Sequence, residues 1–467
     1  MTSRTTPTNQ RPELVIEHFG PFSGQVVSVE KAALVDDCRW FAGRAAAAFP
    51  AWSAQSATAR GEALKVVADV IEDRVEIFRN AMCEELGTPA DWARHNVAFA
   101  AEMLREVATY ADEVDCPEPV QEQRNIVSRA ERVPCGVCLG IAPWNAPLIL
   151  GVRAVATPLL CGNTVLLKGS EFAPRTFRLL GEAFRDGGIS EDVVRIFLTR
   201  PEDSEEIVEH LISNTVVRRV NFTGSTRVGR RVAELCAKNL KRPLLELGGQ
   251  ATMIVLDDAD LDAAAEAALS GAYVNQGQVC MSTERLVVEA SIADDLVQRI
   301  ETGRKKLKVG DPADEETQIG PGIGTAAAQR LSGSIAAAVS GGAVLVGGGD
   351  ANNALFEPTL VDHVEPVMRL YREEVIGPIL SVIRVVNDLE AVTVANDSDY
   401  GLSAAVFSRD IARAEMIARR IHSGICHINR ATVDDNPHAP FGGVKNSGYG
   451  RFGGRWALHE FTELRWI

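Results

Sequence analysis

No excess of positive charge marks this chain: 48 Lys and Arg stand against 63 Asp and Glu, a formal net charge of −15. Nucleic acid or an anionic membrane would repel such a surface at long range, which excludes both as partners. No apolar run is long enough to cross a bilayer, because the most apolar region, residues 137–160, is interrupted by Asn145, Arg153, Pro143, Pro147 and Pro158. The first residues, Met1 to Glu13, lack the apolar core of a secretion signal. A cysteine framework is missing too. The nine cysteines (38, 83, 116, 135, 138, 161, 236, 280 and 426) are odd in number and scattered, which predicts a cytoplasmic protein with reduced thiols. Cys135-Gly136-Val137-Cys138 has redox-motif spacing, but no second pair completes a zinc site and the pair opens a strand-like run, so it reads as structural. The eight histidines form no HExxH or Cys/His pattern, and no metal is expected.

What is present is ordinary globular composition, 46% hydrophobic and 24% charged, in a chain of 467 residues that calls for two or three domains. Residues 1 to about 20 read as a disordered or edge-lying arm. Residues 30–112 are helical in period, with breaks at Pro50 and Gly87-Thr88-Pro89. Residues 116–134 alternate, from Asn125 to Val133 most clearly, and read as an exposed hairpin that needs a partner surface. Apolar runs at 137–141, 163–168, 193–198, 217–222 and 242–246 then alternate with helical stretches near 147–160, 174–185, 203–212 and 226–239. That order predicts a parallel, doubly wound α/β sheet. A second series, at 252–256, 284–289, 343–346, 380–386, 403–407 and 425–429, predicts a second α/β domain packed tightly on the first, with a cleft between them.

Five stretches carry chemistry. Cys280 follows Asn275-Gln276-Gly277-Gln278-Val279 at a polar-apolar boundary where a ligand can approach a thiolate. Taken alone it is as well read as a small buried hydrophobe. Asn145, in the turn between Trp144 and Pro147, is an oxyanion donor or an ordinary turn residue. Glu246 ends the last strand of the first sheet before Gly248-Gly249, so its carboxylate is a general base in the cleft or a structural group. Thr223-Gly224-Ser225 ends a strand and opens a helix, which suits a pyrophosphate or an ordinary cap. Lys168 and Glu171 emerge at another strand end, as a seat for an adenosine ribose that would repel a 2′-phosphate or as a surface ion pair.

In order along the chain, Pro143-Trp144-Asn145, Lys168-Gly169-Ser170-Glu171, Phe222-Thr223-Gly224-Ser225, Glu246-Leu247-Gly248-Gly249, Asn275 to Cys280, Glu373-Glu374-Val375-Ile376-Gly377-Pro378 and Pro440-Phe441-Gly442-Gly443 resemble the aldehyde dehydrogenase superfamily. The resemblance implies an NAD-binding domain (1–115 and 135–248, rejoined by 447–461) and a catalytic domain (249–446). It also implies an oligomerisation segment (116–134 with 462–467) in a homodimer or homotetramer. Cys280 is implied as the nucleophile, Asn145 as the oxyanion donor and Glu246 as the base that activates water. The implied cofactor residues are Ile141, Ala142, Pro143, Trp144, Lys168, Ser170, Glu171, Gly224, Ser225, Gly229, Leu247, Gly248 and Glu374, with NAD favoured over NADP. Ile376 stands where the family usually has Phe, and Gln250 and Thr252 replace the usual Lys and Pro. The chain stops at Ile467, where many relatives continue. This shortens the strand that in the family pairs across the oligomer with the 116–134 hairpin, and leaves the oligomeric state open.

The substrate reading also rests on resemblance. Residues 137–153 and the ending 461–467 are most similar to the branch of salicylaldehyde, vanillin and benzaldehyde dehydrogenases, which implies an aromatic aldehyde. Trp92, Arg153, Val279, Met281 and Phe441 are the implied pocket. Arg153 lies two helical turns beyond Asn145 and reaches the same cleft. Succinic semialdehyde dehydrogenases carry an Arg there as well, to bind the distal carboxylate, so a semialdehyde is the alternative substrate. A thiol-dependent esterase or acyl hydrolase without redox activity is the alternative of another class.

Overall fold

The computed structural model describes residues 14–123 and 126–467. Residues 1–13, where the absence of a signal was read, and Asn125 of the predicted hairpin lie outside the described residues. From Val15 the chain is not an arm: β1 (Val15–Phe19) pairs antiparallel with β2 (Val26–Lys31), so its backbone groups are satisfied in a hairpin. Helices α1 (Val35–Ser53), α2 (Ala57–Asp73), α3 (Val75–Leu86), α4 (Ala90–Ala108) and α5 (Ala111–Asp115) follow. Pro50 does not break α1, contrary to its predicted role. It falls in the last turn, and the helix end is held by buried Trp52, whose indole N–H donates to the Leu159 carbonyl at 3.1 Å. Gly87 does end α3, in the left-handed conformation that a side chain resists.

Strands β3 (Glu118–Gln123) and β4 (Ile126–Pro134) form the predicted hairpin, and the segment Thr462–Trp466 adds to the edge of β4. This pairing, expected between chains, is made within one: Thr462 faces Pro134 and Trp466 faces Ala130, and Arg129 and Ile467 exchange backbone hydrogen bonds. The turn Arg455–Glu460, packed against the first domain, delivers the strand there.

The first sheet holds β5 (Val137–Ile141), β6 (Thr164–Lys168), β7 (Val194–Phe197), β8 (Val217–Thr223) and β9 (Arg242–Glu246) in the order β9-β8-β5-β6-β7, all parallel. Its crossovers are α6 (Pro147–Leu160), α7 (Pro174–Asp186), α8 (Ser204–Ser213) and α9 (Thr226–Lys238). Proline opens both α6 and α7, at positions where its missing N–H costs nothing. β5 and β6 are buried throughout, as strands covered on both faces must be. One strand unseen in the sequence, Gly448–Tyr449, returns to pair antiparallel with the end of β9 at Glu246.

The second sheet has seven strands. After β10 (Ala251–Val255), α10 (Leu261–Tyr273) and β11 (Thr283–Glu289), it takes in Ile379–Val385, Ser403–Phe407 and Ile425–Ile428 as parallel neighbours. Thr359–Asp362, which sequence periodicity missed, is a fully buried four-residue strand between Ile379–Val385 and the antiparallel edge Val344–Gly347. It is too short to show a period. Among the described residues no helix is long and apolar enough to cross a membrane, and no three His, Cys, Asp or Glu are placed to hold a metal. All nine cysteines are free thiols.

Candidate active site

The carboxyl end of β9, at Glu246, faces the amino ends of the second sheet, where Gly248 precedes β10, Cys280 precedes β11 and Glu374 precedes Ile379–Val385. From α10 the chain enters a tight turn in which Asn275 (φ 48°), Gln276 (φ 58°) and Gly277 (φ 65°) are all left-handed. Such a run is costly for side-chain-bearing residues and persists only where the surroundings impose it. The Gln276 amide donates to the Gly87 and Pro321 carbonyls (2.8 and 2.9 Å), and the Asn275 amide to the Asn145 carbonyl (2.9 Å). Gly277 is packed so that a Cβ would lie 2.3 Å from the Gly377 carbonyl. The turn thus sets Cys280 half-buried at the start of β11, beside Gly249, whose missing side chain admits the Cys280 carbonyl.

A cavity of about 170 Å³ at Cys280 is lined also by Asn145, Glu246, Leu247, Gly248, Val279 and Glu374. The Asn145 amide donates one hydrogen to the Gln278 carbonyl at 2.9 Å, which fixes its plane and leaves the second hydrogen available. Glu246 is 1% exposed, and its Oε1 has no hydrogen-bond partner. Burial pushes its carboxyl up to about 7, against the opposing pull of a hydrogen bond with Cys280 and the charge of Arg153. The Cys280 thiol is pushed well above its ordinary range by burial first and by the Glu246 charge second. The two groups compete for one proton, which is the arrangement expected of a nucleophile and its base.

Glu374 is likewise pushed up to about 7 by burial, and accepts the Gly249 N–H at 2.9 Å. A Cβ on Gly248 would sit 2.3 Å from the Glu374 carboxylate, so a side chain there would displace that carboxylate. Glu284, which sequence reading overlooked, accepts the backbone N–H groups of Val375 (2.8 Å) and Ile376 (3.0 Å) and so holds the loop that carries Glu374. Burial and the neighbouring Glu374 raise it to about 8. The available signal was a carboxylate at the head of a strand running into Leu286-Val287-Val288, four residues after Cys280.

A groove of about 590 Å³ shares Pro143, Trp144, Thr223, Gly224 and Ser225 with the Cys280 cavity, so the two spaces are continuous. Ile141, Ala142, Lys168, Ser170 and Glu171 complete the predicted set there, with Arg227 and Arg231 as cations that the sequence reading did not single out. Lys168 is buried and lies 3.5 Å from the Glu171 carboxylate. The Ser225 hydroxyl accepts the Val228 N–H at 3.4 Å and caps α9, whose first amides face the groove. Gly224 has no room for a side chain against the Phe222 ring, 2.6 Å away. A glycine turn, an open helix start, cations and a strand-end carboxylate together suit a dinucleotide. Gly229 does not line this groove: it seats α9 on Leu247, where a Cβ would come within 2.3 Å. Leu247, Gly248 and Glu374 border the thiol cavity instead.

The predicted pocket residues divide. Val279 lines the Cys280 cavity, whereas the Met281 side chain is core and its carbonyl accepts the Thr432 hydroxyl at 2.7 Å. The Arg153 guanidinium lies 3.9 Å above the Phe441 ring and forms an ion pair with Asp435. Trp92 is not brought to the Cys280 cavity. It stacks on His95, with centroids 4.9 Å apart, and lines a separate, larger cavity of about 680 Å³ with Asp262, Glu266, Gln298 and Arg299.

With this geometry established, the comparisons are consistent. A sequence model described as the aldehyde dehydrogenase family matches residues 8–467. The chain is 48% identical over 461 residues to a vanillin dehydrogenase of a Pseudomonas species, covering 99% of this chain and 95% of that one. Among solved structures it is similar to a salicylaldehyde dehydrogenase from Pseudomonas putida complexed with salicylaldehyde. The TM-score is 0.95 at 43% identity, over 97% of this chain and 94% of that one. It is similar also to PnpE in complex with nicotinamide adenine dinucleotide, with a TM-score of 0.93 and 34% identity, over 97% and 93% of the two chains.

Proposed function

Because the chain belongs to the aldehyde dehydrogenase family, we propose that it oxidises aromatic aldehydes of the vanillin, salicylaldehyde or benzaldehyde type to carboxylic acids, with NAD as the electron acceptor. The observation that carries this reading is the meeting of Cys280, Asn145, Glu246 and Glu374 in one cavity continuous with a dinucleotide-sized groove.

In this reading the Cys280 sulfur bonds to the aldehyde carbon as its proton passes to Glu246, the nearest group able to take it. The carbonyl electron pair moves to oxygen, where the free Asn145 N–H and the Cys280 backbone N–H stabilise the negative charge. Glu374 and the Lys168/Glu171 pair would hold the two riboses of NAD, which would supply the acceptor for the hydride of the substrate carbon. Once Glu246 has released the thiol's proton to solvent, it removes a proton from the water that attacks the thioester, a role for which a carboxyl near 7 is suited. The carboxylic acid forms as the Cys280 sulfur leaves as thiolate. The Glu171 carboxylate supports NAD, since it would accept ribose hydroxyls and repel a 2′-phosphate.

Arg153 raised a semialdehyde as the alternative substrate, yet its guanidinium is already engaged by Asp435 and Phe441. A panel of benzaldehydes and succinic semialdehyde, each with NAD and with NADP, tests the proposal. Reduced nicotinamide from the aromatic aldehydes with NAD is expected. Turnover of succinic semialdehyde alone would sink the substrate reading, and equal rates with NADP the cofactor reading.

A further inference from the structure

Arg153 and Asp435 are 282 residues apart in sequence and meet between α6 and the loop before Phe441. The guanidinium is 4% exposed and the carboxylate 15%. One face of the guanidinium is covered by the Phe441 ring, and its Nε–H is buried with no acceptor. This cation therefore has a single anionic partner and a spare donor. Leu150, one turn before Arg153 on α6, lines the Cys280 cavity, and Thr432, three residues before Asp435, donates to the Met281 carbonyl, so the pair lies beside the reacting groups. The charge of Asp435 also reaches His95, on which Trp92 stacks, and His427. A carboxylate here does for Arg153 what the distal carboxylate of a semialdehyde would do: it neutralises a buried guanidinium next to the thiol.

We propose that Asp435 is the specificity-determining residue of the substrate pocket, acting as a built-in carboxylate that occupies Arg153 and so excludes aldehydes bearing a distal carboxylate in favour of uncharged aromatic ones. The proposal rests on the aromatic reading above. A second carboxylate brought beside Asp435 would meet a like charge and a guanidinium whose charge is already paired. An aromatic ring brings no charge and packs on the covered, nearly neutral surface that the pair presents with Phe441.

The test is the ratio of kcat/KM for succinic semialdehyde to that for benzaldehyde, in wild type and in Asp435→Asn, which keeps the size of the side chain and removes its charge. The ratio should rise roughly 10- to 100-fold, the range for a freed hydrogen bond to a charged group, and through KM of the semialdehyde rather than kcat. Adding Arg153→Gln to Asp435→Asn should cancel the gain. A ratio that is unchanged or lower in the variant, or a gain that survives loss of Arg153, overturns the proposal. A second measurement needs only the wild-type enzyme: alkylation of Cys280 by iodoacetamide, followed by mass spectrometry. Benzyl alcohol should slow it and 4-hydroxybutyrate should not; equal protection by both overturns the proposal. Preference of the wild-type enzyme for succinic semialdehyde would overturn the aromatic reading and this inference together. Aromatic preference with an unmoved ratio would overturn this inference alone.

Discussion

The two walls of the site are built differently. The groove wall consists of contiguous stretches at strand ends, Ile141 to Trp144, Lys168 to Glu171 and Thr223 to Ser225, and much of its polarity comes from backbone amides and a helix start. The thiol wall consists of buried ionisable side chains gathered from distant parts of the chain: Cys280, Glu246, Glu374, Glu284, Arg153 and Asp435. Backbone groups survive the loss of one side chain. Buried charges do not act independently, because each sets the ionisation of its neighbours in a medium that screens poorly. Single substitutions should therefore cost far more on the thiol wall.

The largest effect is expected from Cys280→Ala, which removes the nucleophile. Aldehyde-dependent reduction of NAD should fall by about 10,000-fold or more while NAD binding persists, followed by absorbance and by calorimetry. Substantial residual turnover would move the chemistry off the thiol. Next is Glu246→Gln, with steady-state kcat down about 100- to 10,000-fold. The first turnover should still give a burst of NADH, slowed because the thiol must then lose its proton to solvent, while hydrolysis of the thioester is the step most reduced. In the wild type that step should speed up as pH rises through about 7, where Glu246 loses its proton. A pH profile of the same shape in the variant would assign the ionisation elsewhere.

A smaller effect concerns stability. Glu246, Glu374 and Glu284 have an ordinary value of 4.5 and are raised in the folded chain to about 7, 7 and 8. Between about 4.5 and 8 the folded state thus holds more protons than the unfolded one, so this contribution to stability is full below 4.5 and is lost as pH rises through 7 to 8. The unfolding temperature should be a few degrees lower at pH 8.5 than at pH 6, and Glu284→Gln should flatten that slope. A slope unaltered in Glu284→Gln would remove this residue from the account. The smallest effect belongs to the groove wall: Ser225→Ala should cost about 1 kcal/mol of stability through loss of the α9 cap. It should weaken NAD only a few-fold, by calorimetry. A loss of cofactor binding as severe as the catalytic losses above would erase the contrast between the walls.

The groove was legible because its signals are local. A glycine turn before a capped helix, or a lysine and a glutamate closing a strand, is written in adjacent residues, and the alternation of apolar runs with helical stretches placed them on one edge of a sheet. Gly229 shows the limit: its place in the motif is clear, but only packing reveals that it seats α9 on Leu247. On the thiol wall the reacting residues were recognisable by resemblance, whereas their support was not. Glu284 looked like one more residue of a strand, Asp435 like a loop acid, and Trp92 like a pocket residue that the fold instead turns toward another cavity. The C-terminal strand misled in the same way, since pairing within the chain or between chains depends on where the preceding turn points.

By itself the sequence determined the α/β series and its strand-end turns, which follow from periodicity and turn chemistry over a few neighbouring positions, whereas the role of Cys280 was implied by the family resemblance alone. Only the tertiary structure decided that the Arg153 guanidinium is already paired, that Glu246 is buried with a free oxygen, and that Glu284 holds the loop of Glu374. The first and the last are contacts between residues 91 or more positions apart, and burial, charge pairing and pKa come into being only when such contacts close.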